Sequence, residues 1–104
     1  MDMNTFYDLD ENAIGMFSCG VAWTKPERVR LGSYDIHIDP GYIYNNENEK
    51  IAVFDAGVVS DLKGNLIGEY RDRFIYINNE VVGSYIASDH AAAASVVFLF
   101  GKEW

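Results

Sequence analysis

Apolar and polar positions recur along this chain in a short unit. Ile14-Gly15-Met16-Phe17, Ile51-Ala52-Val53-Phe54, Ile67-Gly68-Glu69-Tyr70 and Val82-Gly83-Ser84-Tyr85 each set a β-branched residue, a very small residue, a variable residue and an aromatic ring in that order. The eight residues upstream align without gaps: Phe6–Ala13, Ile43–Lys50, Val59–Leu66 and Phe74–Val81. Each copy reads as an aromatic or β-branched strand, a turn rich in Asn, Asp or Gly, and a second strand carrying the box. Lys63-Gly64-Asn65 and Asn78-Asn79 are the clearest hairpin signals. The repeats are therefore 6–17, 43–54, 59–70 and 74–85. Glycine inside a strand sacrifices packing and adds entropy cost, so its recurrence calls for close approach of neighbours. The expectation is that the hairpins converge on one axis, with Gly15, Ala52, Gly68 and Gly83 making room for Phe17, Phe54, Tyr70 and Tyr85.

An insertion, 18–41, separates the first two copies. Gly20–Trp23 and Arg28–Leu31 read as an added hairpin around a turn at Thr24–Glu27. Ser33–Asp39 alternates, with Tyr34, Ile36 and Ile38 on one face and Asp35, His37 and Asp39 on the other. The tail, 88–104, changes character. Ser88-Asp89 can cap a short helix through His90 and Ala91–Ala94. Val96-Val97-Phe98-Leu99-Phe100 is an unbroken apolar run, expected to be a strand buried on both faces.

The pairing of Tyr7-Asp8 with Ile14-Gly15, Ile43-Tyr44 with Ile51-Ala52, Ser60-Asp61 with Ile67-Gly68, and Ile75-Tyr76 with Val82-Gly83 resembles small bacterial proteins of the four-fold β-flower type. The likeness covers about half the chain and implies a fold, four hairpins around a pseudo-four-fold axis, with no catalytic residues to carry over. The YD repeat of large secreted shells shares Tyr-Asp-x-x-Gly-Asn, but four copies are too few to enclose a shell. The expected fold is thus mainly β: one domain, 1–104, of four hairpin repeats with an inserted hairpin and a C-terminal short helix plus strand.

Composition narrows the function classes. At 104 residues with 49% hydrophobic content, the chain supports one real core. A net charge of −8 opposes binding to phosphate backbones, despite local clusters at Lys25, Arg28 and Arg30 and at Arg71 and Arg73. It suits a basic partner. No stretch approaches a membrane span, no signal peptide is visible, and the single cysteine, Cys19, allows no internal disulfide, so a cytoplasmic setting is expected.

Candidate chemistry lies outside the repeats. Asp35-x-His37-x-Asp39 places imidazole and two carboxylates on one strand face, a set that could hold a divalent metal or run acid–base chemistry. The competing reading is the solvated face of an antiparallel strand. Asp89-His90 is adjacent in sequence only, and Asp89 fits a helix cap. Cys19 could serve as a nucleophile only beside a base; otherwise it packs as a small apolar residue. The candidate catalytic residues are thus His37, His90 and Cys19, and convergence of the three on one cavity would strengthen them. Trp23, Tyr34, Tyr42, Tyr44, Tyr76 and Trp104 exceed what a hairpin core needs; Trp23, Tyr34 and Tyr44 are the candidate ligand-binding residues. The function expected is a non-catalytic interaction or ligand-binding module without a cofactor. It is expected to self-associate as a dimer, because the run Val96–Phe100 needs covering. The alternatives are a metal-assisted hydrolase using Asp35, His37 and Asp39, and an acidic decoy that engages a basic nucleic-acid-binding protein.

Overall fold

The computed structural model describes residues 3–25, 27–36, 38 and 40–101. Ten antiparallel strands close into a barrel: β1 (Met3–Tyr7), β2 (Ala13–Ser18), β3 (Val21–Thr24), β4 (Arg30–Tyr34), β5 (Gly41–Tyr44), β6 (Lys50–Asp55), β7 (Val58–Asp61), β8 (Leu66–Arg71), β9 (Phe74–Ile77) and β10 (Glu80–Ile86), with β10 pairing back onto β1. Helix α1 (Asp89–Ser95) and a π-helical segment (Val96–Phe100) follow.

The barrel holds five hairpins rather than four. The inserted hairpin is an equal member, because Leu31-Gly32-Ser33-Tyr34 on β4 is a further copy of the box. Register shows the equivalence. The small residue of each even strand faces the buried residue of the preceding odd strand: Phe6↔Gly15, Ala22↔Gly32, Ile43↔Ala52, Val59↔Gly68 and Ile75↔Gly83. A β-bulge lies beside that pair in every hairpin. The box aromatic faces the next odd strand: Phe17↔Ala22, Tyr34↔Ile43, Phe54↔Val59, Tyr70↔Ile75, and Tyr85↔Phe6 to close the ring. Bulges raise local twist and help a sheet curl on itself, so one per hairpin suits closure.

Both sets of turns repeat as well. At one end, Asp8, Asn45 and Asp61 each accept the backbone N–H groups two and four residues on, and Thr24 Oγ1 accepts that of Val29. Glu11, Arg28, Asn48 and Gly64 take positive φ in these loops. At the other end, Cys19-Gly20, Ala56-Gly57 and Asp72-Arg73 are two-residue turns with both φ positive, as the hairpin turn matching strand twist requires. The carbonyls of Gly20, Gly57 and Arg73 accept the N–H of Tyr34, Tyr70 and Tyr85, the box aromatics of the following hairpins. The Asp of the Tyr-Asp pattern is therefore a loop organiser.

The tail corrects the expectation most. Val96–Phe100 is helical and fills the barrel lumen. A closed barrel offers no edge to another strand, and backbone inside it must satisfy its own hydrogen bonds, which a helix does. Ala91–Ala94, Ser95 and Val96 are fully buried. Ser95 Oγ donates to the Ala92 carbonyl at 2.6 Å, which satisfies its buried hydroxyl within the helix.

Tail and wall match in two layers. Nearer the mouth through which α1 descends, the wall is aromatic (Phe17, Tyr34, Phe54, Tyr70, Tyr85) and the helix carries alanines. Deeper, the wall is glycine and the helix carries bulk. A Cβ on Gly15 would stand 2.5 Å from Leu99 Cδ1, on Gly68 2.8 Å from Val96 Cγ1, on Gly83 2.5 Å from Phe100 Cζ, and on Gly32 2.5 Å from Phe98 Cζ. The box glycines make room for the tail and for neighbouring backbone, with the carbonyl oxygens of Tyr44, Tyr76 and Tyr7 close against a Cβ on Gly32, Gly68 and Gly83, the last two at 2.8 and 2.5 Å; no box aromatic is among the nearest atoms. Within the barrel Val96 and Val97 of this run are buried, and Phe98, Leu99 and Phe100 are half-buried.

The alternating stretch Ser33–Asp39 is not one strand. β4 ends at Tyr34, and Ile36 and Ile38 are exposed in the β4–β5 connection. The Asp35 carboxylate there accepts the Tyr42 N–H at 2.9 Å, and the Asp35 N–H donates to the Tyr42 carbonyl. This clamp follows the last β4–β5 pair, Tyr34↔Ile43, and caps the ladder there.

Candidate functional site

A cavity of about 330 Å³ opens at the mouth where α1 enters the barrel, lined by Asn4, Cys19, Gly20, Tyr34, Ile36, Ser88 and His90. Its walls come from β1, the β2–β3 turn, the end of β4 with the loop after it, and the start of α1. Where the other short turns of this end carry two residues, the β4–β5 connection carries six, and Ile36 extends the wall from it.

Each wall is held in place. Asn4 Oδ1 accepts the Ser88 N–H at 2.8 Å while its Nδ2 donates to the Phe17 carbonyl at 3.2 Å, so one amide fastens the helix start to two strands. Ser88 caps α1, its Oγ accepting from Ala91 N at 3.2 Å. The His90 ring meets Phe54 edge-on with centroids 5.6 Å apart, which fixes its plane over the aromatic layer. Cys19 is exposed at φ 52°, first in its turn, and Ser18 Oγ lies 3.6 Å from its sulfur. The wall is thus apolar at Tyr34 and Ile36 and carries an imidazole, a thiol and a hydroxyl on a rigid frame.

Of the residues singled out from sequence, Cys19, His90 and Tyr34 meet here. His37 and Asp39 lie outside the described residues. Asp35 is engaged in the turn clamp and by Tyr44, whose hydroxyl donates to it at 3.1 Å. The Tyr44 hydroxyl has its pKa raised, first by desolvation and then by Asp35. Among the described residues, no three His, Cys, Asp or Glu side chains group to hold a metal.

Trp23 and Tyr44 stand away from the cavity, and Trp23 carries a basic group instead. The Arg28 guanidinium lies 5.6 Å from the Trp23 ring, Lys50 Nζ 4.0 Å from Tyr42 and Arg71 3.9 Å from Tyr76. Arg28 and Arg71, one from each basic cluster, thus lie over outward aromatics, and Arg30 donates to Asn46 Oδ1. Asn4, Gly20 and Ile36 were missed as site residues; their only signal is barrel closure, which local sequence does not carry. Ser88 was read as a cap alone.

No family model matches the chain, and no curated protein or solved structure matches it. No helix among the described residues is long and apolar enough to cross a membrane. The strands, of four to seven residues, are also shorter than the roughly nine to eleven that a membrane-spanning strand needs.

Proposed function

We propose that this protein is a small-molecule binding module whose site is the mouth cavity. The observation that carries the reading is the convergence of Asn4, Cys19, Tyr34, Ile36, Ser88 and His90, from four separate segments, on one cavity of about 330 Å³. That volume lies at the lower end of the range for small-molecule sites, about 300–1,000 Å³. Mostly apolar walls with a few convergent polar groups are the usual composition of such a site. The ligand is a small amphipathic molecule. Its apolar face lies on Tyr34 and Ile36, and its polar group is reached by the His90 imidazole and the Ser88 hydroxyl. The closed barrel supplies rigidity, so little ordering cost falls on binding.

The test is an amide NMR titration of the full chain with indole, phenol and benzamide at millimolar concentration, where weak fragment binding is detectable. Shifts should concentrate at Asn4, Gly20, Ile36, Ser88 and His90, and Ile36→Asp should abolish them. Shifts scattered over the outer barrel, or none with any of the three, would sink the reading.

A further inference from the structure

The seats of the tail follow an order. Val96 lies over Gly68 of β8, Phe98 over Gly32 of β4, Leu99 over Gly15 of β2, and Phe100 over Gly83 of β10. In the ring of hairpins, one residue along the tail moves one hairpin back, through those of β4, β2 and then β10, whose hairpin adjoins that of β2 through the pairing of β10 with β1. From Val96 to Phe98, two residues move two hairpins and pass β6. The hairpin passed carries Ala52, fully buried, and the residue passed is Val97, 1% exposed.

The helix type fits this order. Five hairpins divide the circle into sectors of about 72°, while an α-helix turns about 100° per residue. An α-helix would skip sectors unevenly. A π-helix closes i→i+5 bonds and turns less per residue, which brings successive side chains close to successive sectors. The change from α to π at Val96 coincides with the passage from the alanine layer to the glycine layer.

We infer that the lumen is a binding site for a helical peptide, read at one side chain per hairpin, with Ala52 the seat of Val97 and this chain's own segment 88–101 as its occupant. Recognition rests on the seats, and the single covalent link through Ala87-Ser88 is not required for it. The inference is independent of the mouth cavity's role. It goes beyond ligand binding by assigning the barrel interior a sequence preference: valine at the β8 and β6 seats, and larger Phe, Leu and Phe at those of β4, β2 and β10.

Two experiments on the full chain test it. Val97→Leu should lower the melting temperature by about 5–15 °C. Adding Ala52→Gly should restore at least half of that, yet leave the loss from Leu99→Phe untouched. Should Val97→Leu fail to fold, the reciprocal pair applies: Val97→Ala should be partly rescued by Ala52→Val. In the second experiment, the full-length variant Val96→Asp/Leu99→Asp, whose tail cannot seat, is mixed with a synthetic peptide of residues 88–104. The peptide should restore dispersed amide NMR signals, and the same peptide carrying Val96→Asp should not. The inference is overturned if Ala52 exchanges rescue Leu99→Phe as well as Val97→Leu, if they rescue neither Val97 variant, or if the peptide leaves the spectrum unchanged.

Discussion

Gly15→Ala isolates the contact between wall and tail. The added methyl would stand 2.5 Å from Leu99 Cδ1 and 3.2 Å from Cδ2, with the Trp23 carbonyl oxygen next at 3.3 Å. The first two atoms end a side chain, so the conflict belongs mainly to Leu99 and can be relieved from the tail. Overpacking of this kind costs about 1–3 kcal/mol. The gain from replacing a strand glycine by alanine, about 0.5–1 kcal/mol, offsets part of it. Leu99 is only partly buried, so Leu99→Ala should cost about 2 kcal/mol, the low end for leucine truncation. In the double variant the new methyl enters the space the leucine left. Its cost should therefore fall short of the sum of the single losses by about 1–2 kcal/mol. Urea denaturation of the four proteins in the cycle measures this. Gly64→Ala is the control: no atom lies within 4 Å of its Cβ, and its φ of +91° penalises any side chain. It should destabilise by about 1 kcal/mol with no coupling to Leu99→Ala. Strict additivity of Gly15→Ala and Leu99→Ala would show that the box glycine does not serve the tail.

Further outcomes follow from the turns. The Asp8 carboxylate is held below the usual range first by the Asn12 backbone N–H, and that of Asp61 by the Asn65 N–H. Groups with depressed folded values stabilise fully above the unfolded carboxylate range, and that contribution disappears as pH falls through the folded values. The urea midpoint should therefore drop on acidification below about pH 4, the unfolded carboxylate value. Asp8→Asn/Asp61→Asn should flatten that drop, since Asn45 already organises the equivalent loop without charge; an unchanged pH profile would remove the carboxylates from the account. Cys19→Asn places the favoured residue at a positive-φ turn position and should stabilise by about 0.5–1 kcal/mol in thermal melts, whereas a loss would mean that the thiol contributes packing. Asn4→Ala removes the amide that joins Ser88 to Phe17 and should speed hydrogen exchange at Ser88 and His90 selectively; uniform change across the barrel would contradict its role as a local fastener.

Much of the hairpin grammar is legible in the residues, and the misses have physical causes. The box with its upstream turn located four of the five hairpins because each uses the same register and bulge, and three of the four share the loop organised by Asp8, Asn45 or Asp61. The box Leu31-Gly32-Ser33-Tyr34 escaped because Tyr34 also begins the alternation with Ile36 and Ile38, and a longer strand fits that pattern until Asp35 turns the chain. The run Val96–Phe100 is ambiguous by periodicity, since five apolar residues suit a buried strand or a buried helix equally. Only closure of the sheet, a long-range event joining Thr5 to Ile86, removes the strand option. The same closure brings Cys19 to His90. The expected four-fold axis is not what the barrel shows: ten strands close as five hairpins, and the number of hairpins in a ring belongs to closure, which no single repeat encodes.

The most direct measurement is a methyl-resolved NOE spectrum of the full chain. It should show contacts from the Leu99 methyls to the Gly15 α-protons, from the Val96 methyls to those of Gly68, and from the Val97 methyls to the Ala52 methyl. Sequential amide contacts of a helix should run through Val96–Phe100. Cross-strand contacts along that run instead, or Val97 methyls facing any hairpin other than the one bearing Ala52, would contradict a tail seated one residue per hairpin.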